Sequence, residues 1–167
     1  PTTRQRSEVW IAEVAEAAEH KDKREYVSRV MTNATLGTAL VWDETVYVFA
    51  ANGQDSTGAN AVFMSSSKDM KTWSEPVKVF DSPAGGIFNV AVTRDDKGMV
   101  FLWETNALGT PFTMCMGRVE SPTDNWNDGI IEGAVYGQQK YTGGPAIYFE
   151  GGWYYLLYLE SLGGGRY

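Results

Sequence analysis

Two glutamates carry the most chemistry in this sequence. Glu104 closes the apolar run Phe101-Leu102-Trp103, and Glu160 closes Leu157-Tyr158-Leu159. A carboxyl group set against indole and phenol rings is poorly solvated when charged, so its pKa rises toward the range of a general acid. Two such groups across one cleft meet the minimum for hydrolysis of a glycosidic bond: one is the acid, the other the base or nucleophile. The same side chains could equally bind sugar hydroxyls, or stand at strand ends facing water or a neighbour's backbone. Residue type alone leaves these three roles open.

Around the two acids stand residues suited to holding a saccharide. Asn33, Asn89 and Asn106 offer amides, and Trp103, Tyr141 and Tyr158 offer rings with polar tips. Other chemistries find little support. One cysteine (Cys115) and one histidine (His20) exclude an internal disulfide and leave no Cys/His zinc set. Asp55 with Asp95, Asp96 or Glu104 is a conceivable Ca²⁺ set, but its spacing fits no known loop. No cofactor or metal is expected. A net charge of −7 argues against nucleic acid as a partner. No apolar run approaches the ~20 residues of a membrane helix.

The elements that position these residues form a repeat. Ser67-Lys68-Asp69-Met70-Lys71-Thr72-Trp73 has a counterpart in Glu120-Ser121-Pro122-Thr123-Asp124-Asn125-Trp126, 53 residues later. Strand–turn–strand patterns also recur around Val46, Met99 and Trp153, spaced by 53 and 54 residues. Acidic residues and Gly make the turns, while aromatic and β-branched residues make the strands. Two independent landmarks with one long period imply stacked sheets, each burying its faces on its neighbours. The expected fold is therefore all-β, a β-propeller of four-stranded antiparallel blades. Strands are expected at about 37–42, 46–51, 61–66 and 76–80, then 89–94, 99–104, 112–118 and 130–135, then 145–149 and 153–160. The chain divides into a half blade (7–34), two blades (35–86 and 87–140) and a half blade (141–167).

Residues 12–19 contain strong helix formers. Stepping back one period, however, sets Val9-Trp10-Ile11 on Val62-Phe63-Met64 and His20 on Trp73. Strands three and four of a preceding blade are the favoured reading. Such an arc exposes edges and blade faces, so the expectation is either a piece of a longer propeller or a homo-oligomer. The glycine-rich segment 163–165 reads like the middle of a 2→3 loop.

The Ser67–Trp73 turn resembles the Ser-x-Asp-x-x-x-Trp turn of the five-bladed glycoside hydrolases, the arabinanase and xylosidase-like group. It also resembles a degenerate sialidase Asp-box. Gly144-Pro145-Ala146-Ile147, followed by Gly152-Trp153-Tyr154-Tyr155-Leu156-Leu157-Tyr158, is similar to the third-blade opening of that group. The resemblance covers about residues 35–167 and implies a saccharide ligand, a secreted or periplasmic location, and an acid at the start of strand one in three blades. The matching positions lie near Asn33–Gly37, at Asn89 and at Gly143, and none is a carboxylate. The family's catalytic set does not carry over, and neither does a sialidase arginine cluster. Glu104 and Glu160 remain as the alternative pair. The Asp and Trp of each turn are expected to be architectural. Asn33-Ala34-Thr35 also matches a glycosylation sequon.

Overall fold

The computed structural model describes residues 8–14, 24–52, 60–83, 85–106, 113–137 and 142–166. Strands β1 (Glu8–Val14) and β2 (Arg24–Thr32) pair as an antiparallel two-stranded sheet. Strands β3 (Ala34–Trp42), β4 (Thr45–Asn52), β5 (Ala61–Ser67) and β6 (Val77–Asp81) form a four-stranded sheet in chain order. So do β7 (Ile87–Arg94), β8 (Met99–Thr105), β9 (Thr113–Val119) and β10 (Ile130–Tyr136). Strands β11 (Thr142–Glu150) and β12 (Trp153–Glu160) close the series as a second two-stranded sheet. This is an open arc of propeller sheets, antiparallel throughout. Among the described residues the only helical turn is the 3₁₀ turn Trp126–Gly129. Residues 8–14 are strand, as the repeat implied. His20 and the rest of the helix-prone stretch from 15 to 23 lie outside the described residues.

Strand one of each unit begins two or three residues earlier than its sequence pattern indicated. Each such strand carries a register shift near its start: Thr35/Thr38 in β3, Ile87/Asn89 in β7 and Gly143/Ala146 in β11. A bulge breaks the alternation of side chains there, so the two-residue period is lost while pairing continues. The tight turns follow their residues. Asp43 and Glu44 (φ 45° and 61°) and Gly151 and Gly152 (φ 58° and 82°) supply the successive positive φ values of a two-residue hairpin loop.

The core fills the spaces between sheets. Phe49, Val62, Phe80, Val90, Met99, Phe101, Trp103 and Trp126 pack between the two four-stranded sheets. Val9 and Ile11 of β1 pack on Val48 and Ala50 of β4. Ala91, Val100 and Leu102 meet Ile147 and Leu156 of the last sheet. The paired tryptophans of the repeat each tie their own sheet to the one before it. Trp73 packs in the β1–β2 cluster and donates Nε1–H to Ser28 Oγ of β2 at 2.8 Å. Trp126 is fully buried, stacked on Phe101 at 4.5 Å and set against Phe49 and Phe80 at 5.1 and 6.0 Å. Before Trp73, Asp69 Oδ1 accepts the Lys71 and Thr72 amides at 2.8 Å each. Those two bonds hold its carboxyl down at about 2. Before Trp126, Asp124 Oδ2 accepts the Ser121 amide at 2.8 Å. These Asp and Trp residues have architectural work.

Candidate functional site

Pleating decides which way the residues of β8 point. Met99, Phe101 and Trp103 face the preceding sheet, and Val100 and Leu102 face β11–β12. Glu104 shares the phase of Val100 and Leu102, because successive side chains alternate faces. It therefore projects toward β11. Its residue is 1% exposed.

The carboxylate has donors from two sheets. Asn89, directly opposite on β7, donates Nδ2–H to Glu104 Oε2. Gly144 of β11 donates its backbone N–H to the same oxygen at 3.2 Å. A Cβ built on Gly143 would stand 2.7 Å from Glu104 Oε1, so only glycine allows β11 to come this near. Burial pushes the Glu104 carboxyl above the ordinary glutamate range, against the downward pull of Asn89 and the Gly144 amide. The result is a buried, hydrogen-bonded carboxyl biased toward its protonated form.

Glu160 stands at the same end of the arc. It pairs with Thr142 as Thr105 pairs with Ile87, so the end of β12 is level with the end of β8. It shares the phase of Leu156, which packs on the β7–β10 sheet, and of Tyr158, whose hydroxyl lies 2.5 Å from that of Tyr136 on β10. Each acid therefore lies on the face of its own sheet that is turned toward the other sheet. Glu160 is half-buried.

The other candidates divide. Asn89 is half-buried and committed to Glu104. Tyr158 is half-buried, its ring edge-on to Tyr136 at 5.0 Å. Hydrogen bonding to Tyr136 raises its pKa first, and burial, Tyr136 and the Glu160 charge add to it. Asn106, one residue beyond β8, is exposed, and so is Asn33, which joins β2 to β3 with φ 54°. Tyr141 lies outside the described residues. Trp103 corrects the sequence reading. At 3% exposure it is packed against Phe80 at 4.9 Å on the face opposite Glu104, so its ring belongs to the core and is not a sugar platform.

Of the conceivable Ca²⁺ set, Asp95 is already engaged by protein groups. Asp95 accepts Arg118 Nη2–H at 2.6 Å, the Tyr154 hydroxyl and the Lys97 amide at 2.8 Å. Burial pushes its carboxyl up, but the bonds from Tyr154, Lys97 and Arg118 prevail and hold it low. It is a lock between β11–β12 and the preceding sheet, at the end remote from Glu104. Asp55 lies outside the described residues, and no group of three metal-ligating side chains occurs among those described. The sequence reading missed Gly143 and Gly144 as partners of Glu104. The signal was present: a Gly-Gly pair opening a strand marks a close backbone approach.

The comparisons agree with this architecture. No family model matches the chain, and no curated protein does. Solved structures do. One is a compost-metagenome enzyme described as a GH43 β-xylosidase/α-arabinofuranosidase, in complex with xylotriose. It superposes with TM-score 0.60 at 15% identity, over 74% of this chain and 42% of that one. A second is the α-L-arabinofuranosidase Arb93A of Fusarium graminearum with an iminosugar inhibitor: TM-score 0.59, 13% identity, 89% of this chain and 46% of that one. A third is the GH93 α-L-arabinofuranosidase of the same fungus with arabinobiose: TM-score 0.57, 13% identity, 76% and 41%. The sheets of this chain resemble part of the β-propeller fold of these enzymes. This chain spans less than half the length of each of these structures.

Proposed function

We propose that the chain is part of a carbohydrate-acting propeller, with Glu104 as its general acid and Glu160 as the second carboxylate. One observation carries this reading: a buried carboxyl, its pKa raised by burial, lies on the face of β8 turned toward β11–β12, and Glu160 lies on the face of β12 turned toward β7–β10, at the end of the sheets where β8 and β12 stop. A protonated carboxylic acid beside a glycosidic oxygen can donate its proton to the leaving group. An ionised partner can then take a water proton or attack the anomeric carbon. Asn89 and the Gly144 amide would fix the acid's orientation and keep its second oxygen occupied. Tyr158, Asn106, Asn33 and Tyr141 are the remaining candidates for sugar contacts. The fold's resemblance to arabinofuranosidases and xylosidases supports testing pentose glycosides first.

The depth of Glu104 favours a second reading. At 1% exposure it can serve as a clamp between sheets in a propeller that binds saccharide without cleaving it. Turnover separates the two. Release of the chromophore from aryl arabinofuranosides and xylosides is expected for the wild type and lost in Glu104→Gln and Glu160→Gln. Saccharide binding by calorimetry with no turnover, unchanged in Glu104→Gln, would replace hydrolysis by binding.

A further inference from the structure

The inward row of β12 meets the β7–β10 sheet at successive heights. Tyr154 bonds to Asp95 and Arg118, Leu156 packs in the cluster of Val100 and Leu102, and the Tyr158 hydroxyl meets that of Tyr136. Glu160 is next in the row, because side chains two residues apart share a face. These contacts differ in what they fix. The packing of Leu156 is apolar and has no direction, so it tolerates sliding. The hydroxyl pair of Tyr136 and Tyr158 is exposed, where water competes for it.

The contact at Tyr154 is of another kind. Asp95 is held in the β7–β8 turn by the turn's own backbone: its N–H donates to Gly98 O at 2.9 Å, and its Oδ1 accepts the Lys97 amide at 2.8 Å. The turn is pressed against β9, since a Cβ on Gly98 would stand 2.2 Å from the Val119 carbonyl oxygen. From that platform Asp95 Oδ2 accepts Arg118 Nη2–H at 2.6 Å and the Tyr154 hydroxyl. Arg118 also donates to the Tyr154 oxygen at 2.5 Å. Groups from the β7–β8 turn, β9 and β12 are thus bonded to one another, and the Asp95 side chain is fully buried. Moving β12 along the sheet would leave that carboxylate short of a donor and out of water. Apolar packing carries no such penalty.

The other end of the hairpin has little tolerance. Strands β11 and β12 are paired from Thr142–Glu160 to Glu150–Trp153, so they move together. Gly144 N–H reaches Glu104 Oε2 at 3.2 Å, and a Cβ on Gly143 would already collide with Oε1. Glu160 lies ~20 Å along β12 from Tyr154.

We propose that Asp95, Arg118 and Tyr154 are positioning residues for the site at the opposite end of the sheets. They set the height of the β11–β12 hairpin on the β7–β10 sheet, and through it the meeting of Gly144 with Glu104 and the place of Glu160. The consequence for chemistry rests on the reading of the two glutamates as working acids; the positioning itself does not.

Tyr154→Phe removes one hydroxyl and keeps the ring. Heteronuclear NMR of the Glu104 carboxyl is expected to show its titration midpoint falling toward the ordinary glutamate range in this variant, because a displaced β11 admits water to a group whose pKa is raised by burial. Trp73→Phe deletes the bond to Ser28 at the other interface and is the control for lost stability. It should leave that midpoint unchanged. An unchanged midpoint in Tyr154→Phe would overturn the proposal, and so would an equal fall in both variants. If Tyr154→Phe does not fold, Asp95→Asn tests the same lock, since it drops the charge and keeps an acceptor for Tyr154. In a wild type that cleaves aryl pentosides, Tyr154→Phe is expected to lower kcat ~10- to 100-fold with KM little changed. An unchanged kcat there would overturn the link to chemistry. A wild type without turnover strikes only the reading of the glutamates, and the titration still decides the positioning.

Discussion

Glu104 and Asn89 stand directly opposite each other on neighbouring strands, and the asparagine amide donates to the carboxylate while Gly144 donates from the next sheet. Among the described residues this buried acid has two donors and no basic partner, so hydrogen bonds are what support its charge. Removing Asn89 removes half of that support. Asn89→Ala is expected to destabilise the fold by ~1–3 kcal/mol at pH 7, the cost of leaving a buried acceptor short of a donor. Urea unfolding should show a smaller loss near pH 4, where the protonated carboxyl needs less help.

The pH dependence of Glu104 has a definite sign. Its folded pKa lies above its ordinary value, ~4.3 in a free chain. Stability from this group is full below the unfolded pKa and is lost as pH rises through the folded one. Glu104→Gln keeps the shape and carries no charge, so it should gain on the wild type as pH rises from 4 to 8. Thermal melting of the two proteins across that range checks this. Parallel curves would mean that Glu104 ionises as freely folded as unfolded.

Gly143 allows no side chain while Glu104 holds its place. Gly143→Ala is expected to cost ~1–3 kcal/mol, the usual range for overpacking. Shortening the acid should relieve the clash. In a double-mutant cycle, Gly143→Ala in a Glu104→Ala background is expected to cost clearly less than in the wild type. Additive losses would show that the strain lies in the backbone of the bulge.

Asp69 titrates in the opposite sense. Its two amide bonds hold the folded pKa near 2. Their contribution is present above the ordinary aspartate range and is lost as pH falls through about 2. Asp69→Ala should lower the melting temperature at pH 7, and the difference from wild type should shrink between pH 4 and pH 2.

The two repeat tryptophans are expected to differ in weight. Trp126 is fully enclosed by Phe49, Phe80 and Phe101, so Trp126→Ala should cost ~3–5 kcal/mol. Trp73 is half-buried and also bonded to Ser28, and Trp73→Ala should cost less. Chemical denaturation ranks them. Neither change should alter binding at the proposed site where β8 and β12 end, because both rings sit in the turns between strands three and four.

The repeat, the strands and the roles of Asp69, Trp73 and Trp126 were legible in the sequence. They are local or periodic: a turn residue bonds its own backbone, and a period repeats whatever the packing does. The pair Glu104 and Glu160 was legible as two acids ending apolar strands. The face on which each one lies was not, because it depends on pleat phase. Every residue of β8 from Met99 to Thr105 is buried, so the strand shows no polar alternation from which a phase could be read. Only the stacking of sheets on both sides turned Glu104 toward Gly144 and Trp103, its immediate neighbour, into the core. The sequence alone determined an arc of antiparallel sheets with acids at one end. The tertiary structure decided which of those acids is buried and which residues hold it, because both facts depend on contacts between sheets that no local pattern encodes.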